Sequence, residues 1–132
     1  MKTTLNLPRY AQLCLVFFCS IFLMTACGGG GSQVSENNSE VNVDGNQIRS
    51  QVNKTGSYYL NVNGDNNNVE VAQKNNLQRL HIRGSGNEIS LGAETLVDAI
   101  HVDGNNNRIY VPHKFLHTRF SQTGTNNQIL ER

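Results

Sequence analysis

Along most of this chain, single apolar residues alternate with single polar ones in short runs, and the runs return at a fixed interval. Residues 60–71 read Leu-Asn-Val-Asn-Gly-Asp-Asn-Asn-Asn-Val-Glu-Val, and the same pattern recurs at 80–91 and 100–111. A worn copy occupies 120–131 and a shortened one, 41–48, opens the array. The turn glycines are Gly45, Gly64, Gly84, Gly104 and Gly124, so the period is 19 residues once and 20 thereafter. Aligned on glycine, four columns are apolar. Leu60, Leu80, Ile100 and Phe120 form the first; Val62, Ile82 and Val102 the second. Val69, Ile89, Ile109 and Ile129 form the third, and Val71, Leu91 and Val111 the fourth. Alternation of this kind is the period-two signature of a half-buried strand. Leu77 and Val97 mark a weaker third wall.

A repeat of 20 to 50 residues signals a solenoid. Hairpins joined by Gly/Asn turns would show similar alternation, but hairpins have no reason to keep turn, strand and connector length constant together. The pattern therefore predicts an all-β, single-stranded parallel β-helix of four to five coils, about 20 residues each. The crossover rule favours right-handed winding. Asn67, Asn87, Asn107 and Asn127 stand three residues after their glycines, with Asn46 filling that place in the shortened unit. Asparagine tolerates left-handed backbone at corners, and stacked amides can bond up a column. These asparagines and the turn glycines are read as structural. In the last unit Gln122 and Glu131 replace apolar residues, as the polar cap of a solenoid end would, or leave an edge for a partner. Phe120 is expected in the core.

The N-terminus is of another kind. Residues 1–9 carry Lys2 and Arg9 and no acid, and residues 13–26 are an apolar run. Such a leader is a secretory signal, and the run is short of the roughly 20 residues a membrane span needs. Leu23-Met24-Thr25-Ala26-Cys27 resembles the lipobox of bacterial lipoproteins, which implies cleavage before Cys27 and acylation of its thiol. Cys14 and Cys19 leave with the leader, so no cysteine pair remains for a disulfide. Several acyl chains give lasting attachment where one is marginal. By resemblance to lipoproteins of enteric bacteria, Gly28 in place of Asp directs the chain to the outer membrane. Residues 28–40 (GGGGSQVSENNSE) are too polar to order themselves; as a tether they reach about 20 Å. The expected organisation is a signal peptide at 1–26, lipidated Cys27 with its tether to residue 40, and the solenoid at 41–132.

Without Lys2 and Arg9, the 11 basic residues fall to nine against ten acidic ones. No basic patch offers a site for nucleic acid. The repeat after a lipobox and a Gly/Ser tether resembles the bacterial domain-of-unknown-function family numbered 3060, over about residues 41–132. That resemblance implies an exported β-solenoid and supplies no catalytic residue.

Chemistry-bearing residues are few. His81 and His101 share one repeat position, about 4.8 Å apart on adjacent coils, but Asn61 and Ser121 flank them and no carboxylate joins the column. His113 and His117 lack the glutamate of a zinc-protease HExxH motif. Asp44, Asp65 and Asp103 sit beside turn glycines and are read as turn formers rather than calcium ligands. Asp103, Arg83 and His101 form the one cluster an enzyme of the β-helix type would need. Tyr58, Tyr59, Tyr110, Phe115 and Phe120 are candidates for a sugar-stacking strip. The expectation is a non-enzymatic envelope lipoprotein, with no catalytic residue, metal or cofactor, that presents a rigid face to an envelope protein or a glycan. A curli-like fibre subunit is the alternative.

Overall fold

The computed structural model describes residues 33–113 and 118–132. They form twelve strands. β1 (Gln33–Glu36) and β2 (Glu40–Asp44) open the array, followed by β3 (Arg49–Val52), β4 (Ser57–Asn63) and β5 (Asn68–Val71). β6 (Asn76–Arg83), β7 (Glu88–Leu91), the short β8 (Leu96–Val97) and β9 (Ala99–Asp103) come next. β10 (Arg108–Val111), β11 (Arg119–Thr123) and β12 (Gln128–Glu131) close it. One sheet runs β1-β2-β4-β6-β9-β11, with β8 also on β6; the second runs β12-β10-β7-β5-β3. Every pairing is parallel except β1 with β2. The chain is a parallel β-solenoid of about four turns.

The register is that of the repeat. Leu60 faces Leu80, and Leu80 faces Ile100. Val69 faces Ile89, and Ile89 faces Ile109. All six side chains are fully buried. Tyr58, Leu77 and Val97 stack as the third wall, also buried. The Tyr58 hydroxyl donates to Asn75 Oδ1 at 2.7 Å, and burial pushes its pKa well above the usual tyrosine value, with Glu36 adding to the shift. The one 19-residue interval is absorbed on this wall: Tyr58 pairs with Leu77 and Tyr59 with Arg79, leaving Gln78 as a bulge.

The Gly/Asn corner is a lattice of bonds between coils. Gly104 has φ 145°, and a Cβ on it would stand 1.9 Å from the Gly84 carbonyl oxygen; Gly64, Gly84 and Gly124 meet the coil before them in the same way. No other residue fits that approach. The asparagine column works through the backbone. Asn87 Oδ1 accepts from the Asn67 N–H at 2.9 Å, while its Nδ2 donates to the Gly64 carbonyl at 2.9 Å. Asn67, Asn107 and Asn127 clamp the preceding corner likewise. Direct amide-to-amide bonding occurs between Asn107 and Asn127, at 3.0 Å.

Four expectations need correction. Asn46 does not join this column: the N–H of Ile48 is what Asn67 caps, so Ile48 holds the place. Asn46 stands one residue after its glycine, in a second ladder with Asp65, Ser85, Asn105 and Thr125, where each of the first four side chains accepts from the N–H of the next coil. The left-handed residue is the one before the column: Gln47, Asn66, Gly86, Asn106 and Asn126. Gln33–Glu36, within the stretch read as tether, pairs antiparallel with β2 and is tied to the first coil by a 2.8 Å ion pair between Glu36 and Lys54. Phe120 is in register with Ile100 but 43% exposed, because among the described residues no further coil covers it.

Among the described residues the core has one polar flaw. Ser50 sits in register with Val69 in the third apolar column, buried, and its hydroxyl has no partner among them. Ser50→Val should therefore raise stability by about 1–2 kcal/mol in urea unfolding, since a buried unpaired hydroxyl costs that order. Asn87→Ala removes one buried and one part-buried bond and strands a backbone N–H and a carbonyl, so the same measurement should show a loss of about 2–4 kcal/mol. Equal, small effects for the two substitutions would contradict the corner described above.

Candidate functional site

Outward-facing residues of the first sheet form a grid. One column runs Asn42, Asn61, His81, His101, Ser121; the next runs Asp44, Asn63, Arg83, Asp103, Thr123. Most are bonded along the stack. Asn61 Nδ2 donates to Asn42 Oδ1 at 2.7 Å and Asn63 Nδ2 to Asp44 Oδ1 at 2.5 Å. Arg83 Nη1 donates to Asn63 Oδ1 at 3.3 Å, so its guanidinium turns away from the coil that carries Asp103.

Where the two columns meet on β6 and β9, three functional side chains converge. His81 and His101 are register partners with ring centroids 4.8 Å apart and planes inclined by 64°. Asp103 lies two residues beyond His101, hence on the same outward face and diagonal to His81. Its Oδ2 is 2.9 Å from His81 Nε2 and its Oδ1 is 3.2 Å from His101 Nε2. The last coil backs both groups: His101 Nδ1 lies 2.6 Å from Ser121 Oγ, and the Thr123 hydroxyl donates to Asp103 Oδ1.

Electrostatics follow from this packing. Hydrogen bonds from Thr123 and from His81 hold the Asp103 carboxyl down at a pKa of about 2, so it is an anion at neutral pH. Burial of His81 lowers its pKa below the usual histidine value, against the raising effect of the Asp103 bond. Its side chain is 11% exposed, whereas those of His101 and Asp103 are both 39% exposed. The arrangement is two imidazoles and one carboxylate, anchored from behind and open to solvent in front.

By sequence the two histidines share one column that no carboxylate joins, which argues against a metal. The structure brings in Asp103 from the neighbouring column. The signal was present as spacing: residues i, i+20 and i+22 are neighbours on an outward face when the coil is 20 residues long. The cluster of Asp103, Arg83 and His101 is only partly assembled, since Arg83 bonds elsewhere. His113 pairs with Glu131 at 2.9 Å, while His117 and Phe115 lie outside the described residues. Tyr58 is buried, Tyr59 and Tyr110 belong to different sheets, and Phe120 sits at the open end, so these four do not form one strip. Asp65 accepts from the Ser85 N–H at 2.7 Å, as a turn former does. Cys27 and the leader also lie outside the described residues.

Comparison with protein-family models, curated proteins and solved structures finds no match to this chain.

The two histidines differ in how much the fold needs them. His81→Ala empties a largely covered site and should lower stability by about 1–2 kcal/mol in urea unfolding. His101→Ala, at a half-open surface position, should change it by about 0.5 kcal/mol or less. A reversed order would show that the site is not packed as described.

Proposed function

We propose that this chain is a non-enzymatic lipoprotein of the bacterial cell envelope, anchored in the outer membrane through Cys27, whose rigid solenoid docks a partner protein at its last coil. The anchor reading rests on the Leu23–Met24–Thr25–Ala26–Cys27 sequence and on the lone cysteine left after the leader. Membership of the family numbered 3060 belongs to the same proposal and rests on the repeat that follows the lipobox and the Gly/Ser tether.

The observation that carries the docking role is the difference between the two ends. At the first coil, β1 covers the free edge of β2, and Val41 and Val43 are buried. At the last coil no strand pairs with the outer edge of β11 among the described residues. Phe120 and Ile129, which continue core columns, stay 43% and 38% exposed. Gln122 interrupts the apolar surface beside Phe120. The outer edge of β11, beside these apolar side chains, suits a strand added by another protein. The fibre-subunit alternative needs both ends open for growth, and the antiparallel β1 obstructs one of them.

Two measurements test this. Cys27→Ser should abolish palmitate labelling and move the protein out of the detergent phase; retention of label would overturn the anchor. A photo-crosslinking residue at position 120 or 129 should give an adduct with a different protein in intact membranes, and one at position 36 should not. An adduct of twice the chain's own mass would replace the docking role with self-assembly. Absence of any adduct at 120 and 129 would remove the docking role.

A further inference from the structure

We infer that His81, His101 and Asp103 form a binding site for a divalent ion of the zinc class on the outward face of the first sheet. The ligand set is the first reason. Two imidazoles with one carboxylate are the donors that zinc and its neighbours in the first transition row prefer, and three protein ligands leave a position open to water. Calcium and magnesium, which seek oxygen, are poorly served by this set.

Geometry is the second reason. A tetrahedral zinc with bonds of about 2.0–2.1 Å holds its ligand atoms roughly 3.3 Å apart. The carboxylate oxygens of Asp103 already stand 2.9 Å from His81 Nε2 and 3.2 Å from His101 Nε2, and the three donor atoms lie within 4.8 Å of one another. Small side-chain rotations would bring them onto one ion with no backbone movement. The strands that carry them are central in the sheet, each paired on both sides.

The third reason is what stands behind the ligands. Metal-bound histidines ordinarily donate their other ring N–H to an oxygen, which fixes the tautomer. His101 Nδ1 has Ser121 Oγ at 2.6 Å for that purpose. Asp103 Oδ1 accepts from the Thr123 hydroxyl, which orients the carboxylate. Both supports come from β11, one coil beyond His101 and Asp103. An ordinary outward His–Asp hydrogen bond needs neither the second imidazole nor this backing. The inference does not depend on the lipid anchor or on the docking role.

The test uses the full chain, purified in detergent without a histidine tag, its thiols alkylated so that no cysteine can bind metal. Zinc is titrated in competition with a chromogenic chelator, and cobalt serves as an absorbing stand-in. One equivalent should bind. His101→Ala and Asp103→Asn should each weaken binding by about 100-fold or more, and Thr123→Val, which removes only a support, by about tenfold. His113→Ala should change nothing. Zinc should also shift the ring NMR signals of His81 and His101 and leave that of His113 in place. Absence of binding would overturn the site. So would binding that survives both His101→Ala and Asp103→Asn, or ring shifts confined to His113. Because His101 is half exposed, its variant keeps the fold, and a loss of binding reads on the ligand itself.

Discussion

Coil-to-coil contact at the glycine corner governs this molecule. With carbonyl oxygens about 2 Å from where a Cβ would be, each corner can sit on the next only if both have the same shape. Two ladders then lock it from opposite directions. In one, a short polar side chain after the glycine accepts from the coil that follows. In the other, an asparagine reaches back and satisfies both an N–H and a carbonyl of the coil before. Such a corner tolerates no insertion. Length variation has to go elsewhere, and it does: the 19-residue interval resolves as a bulge at Gln78, on the third wall. The two long sheets keep their register because the corner between them cannot change.

This explains what could be read from sequence. Apolar columns and turn glycines were legible because each is a residue type forced at one position in every coil. Asn46 misled because three corner positions admit asparagine for three different reasons: accepting from the next coil, adopting left-handed backbone, and clamping the previous coil. Spacing from the glycine separates them, and only Ile48 at the third place shows that the first coil lacks the clamp residue. β1 was illegible for another reason. Gln33–Glu36 has a single apolar residue and lies outside the repeat, so its pairing is visible only through its partner. Phe120 shows a further limit of pattern: alternation tells which way a side chain points, and not whether anything lies over it.

The candidate site was half legible for a related cause. Reading a solenoid by columns finds neighbours 20 residues apart and misses those at 18 and 22. On an in-register parallel sheet the outward face is a grid with about 4.8 Å between strands and about 6.5–7 Å between same-face residues along one. Side chains as long as histidine and aspartate reach across that diagonal. Chemistry on such a face is therefore set by blocks of two coils and two columns. In this chain the block made of 81, 83, 101 and 103 holds three convergent groups, and its fourth member, Arg83, faces away toward Asn63.

The end strand of the first sheet, β11, ties the two ideas together. Along β11 the side chains alternate, so Phe120 and Gln122 continue the inward columns while Ser121 and Thr123 continue the outward ones. The inward pair lies at the end proposed to dock a partner. The outward pair supports His101 and Asp103 from behind. An edge strand bonded on one side only is less constrained than a strand bonded on both. A partner strand added to β11 would hold its backbone, and with it the hydroxyls of Ser121 and Thr123 against their acceptors. Occupation of the end and organisation of the two imidazoles and the carboxylate would then favour each other, with one five-residue strand as the link between them.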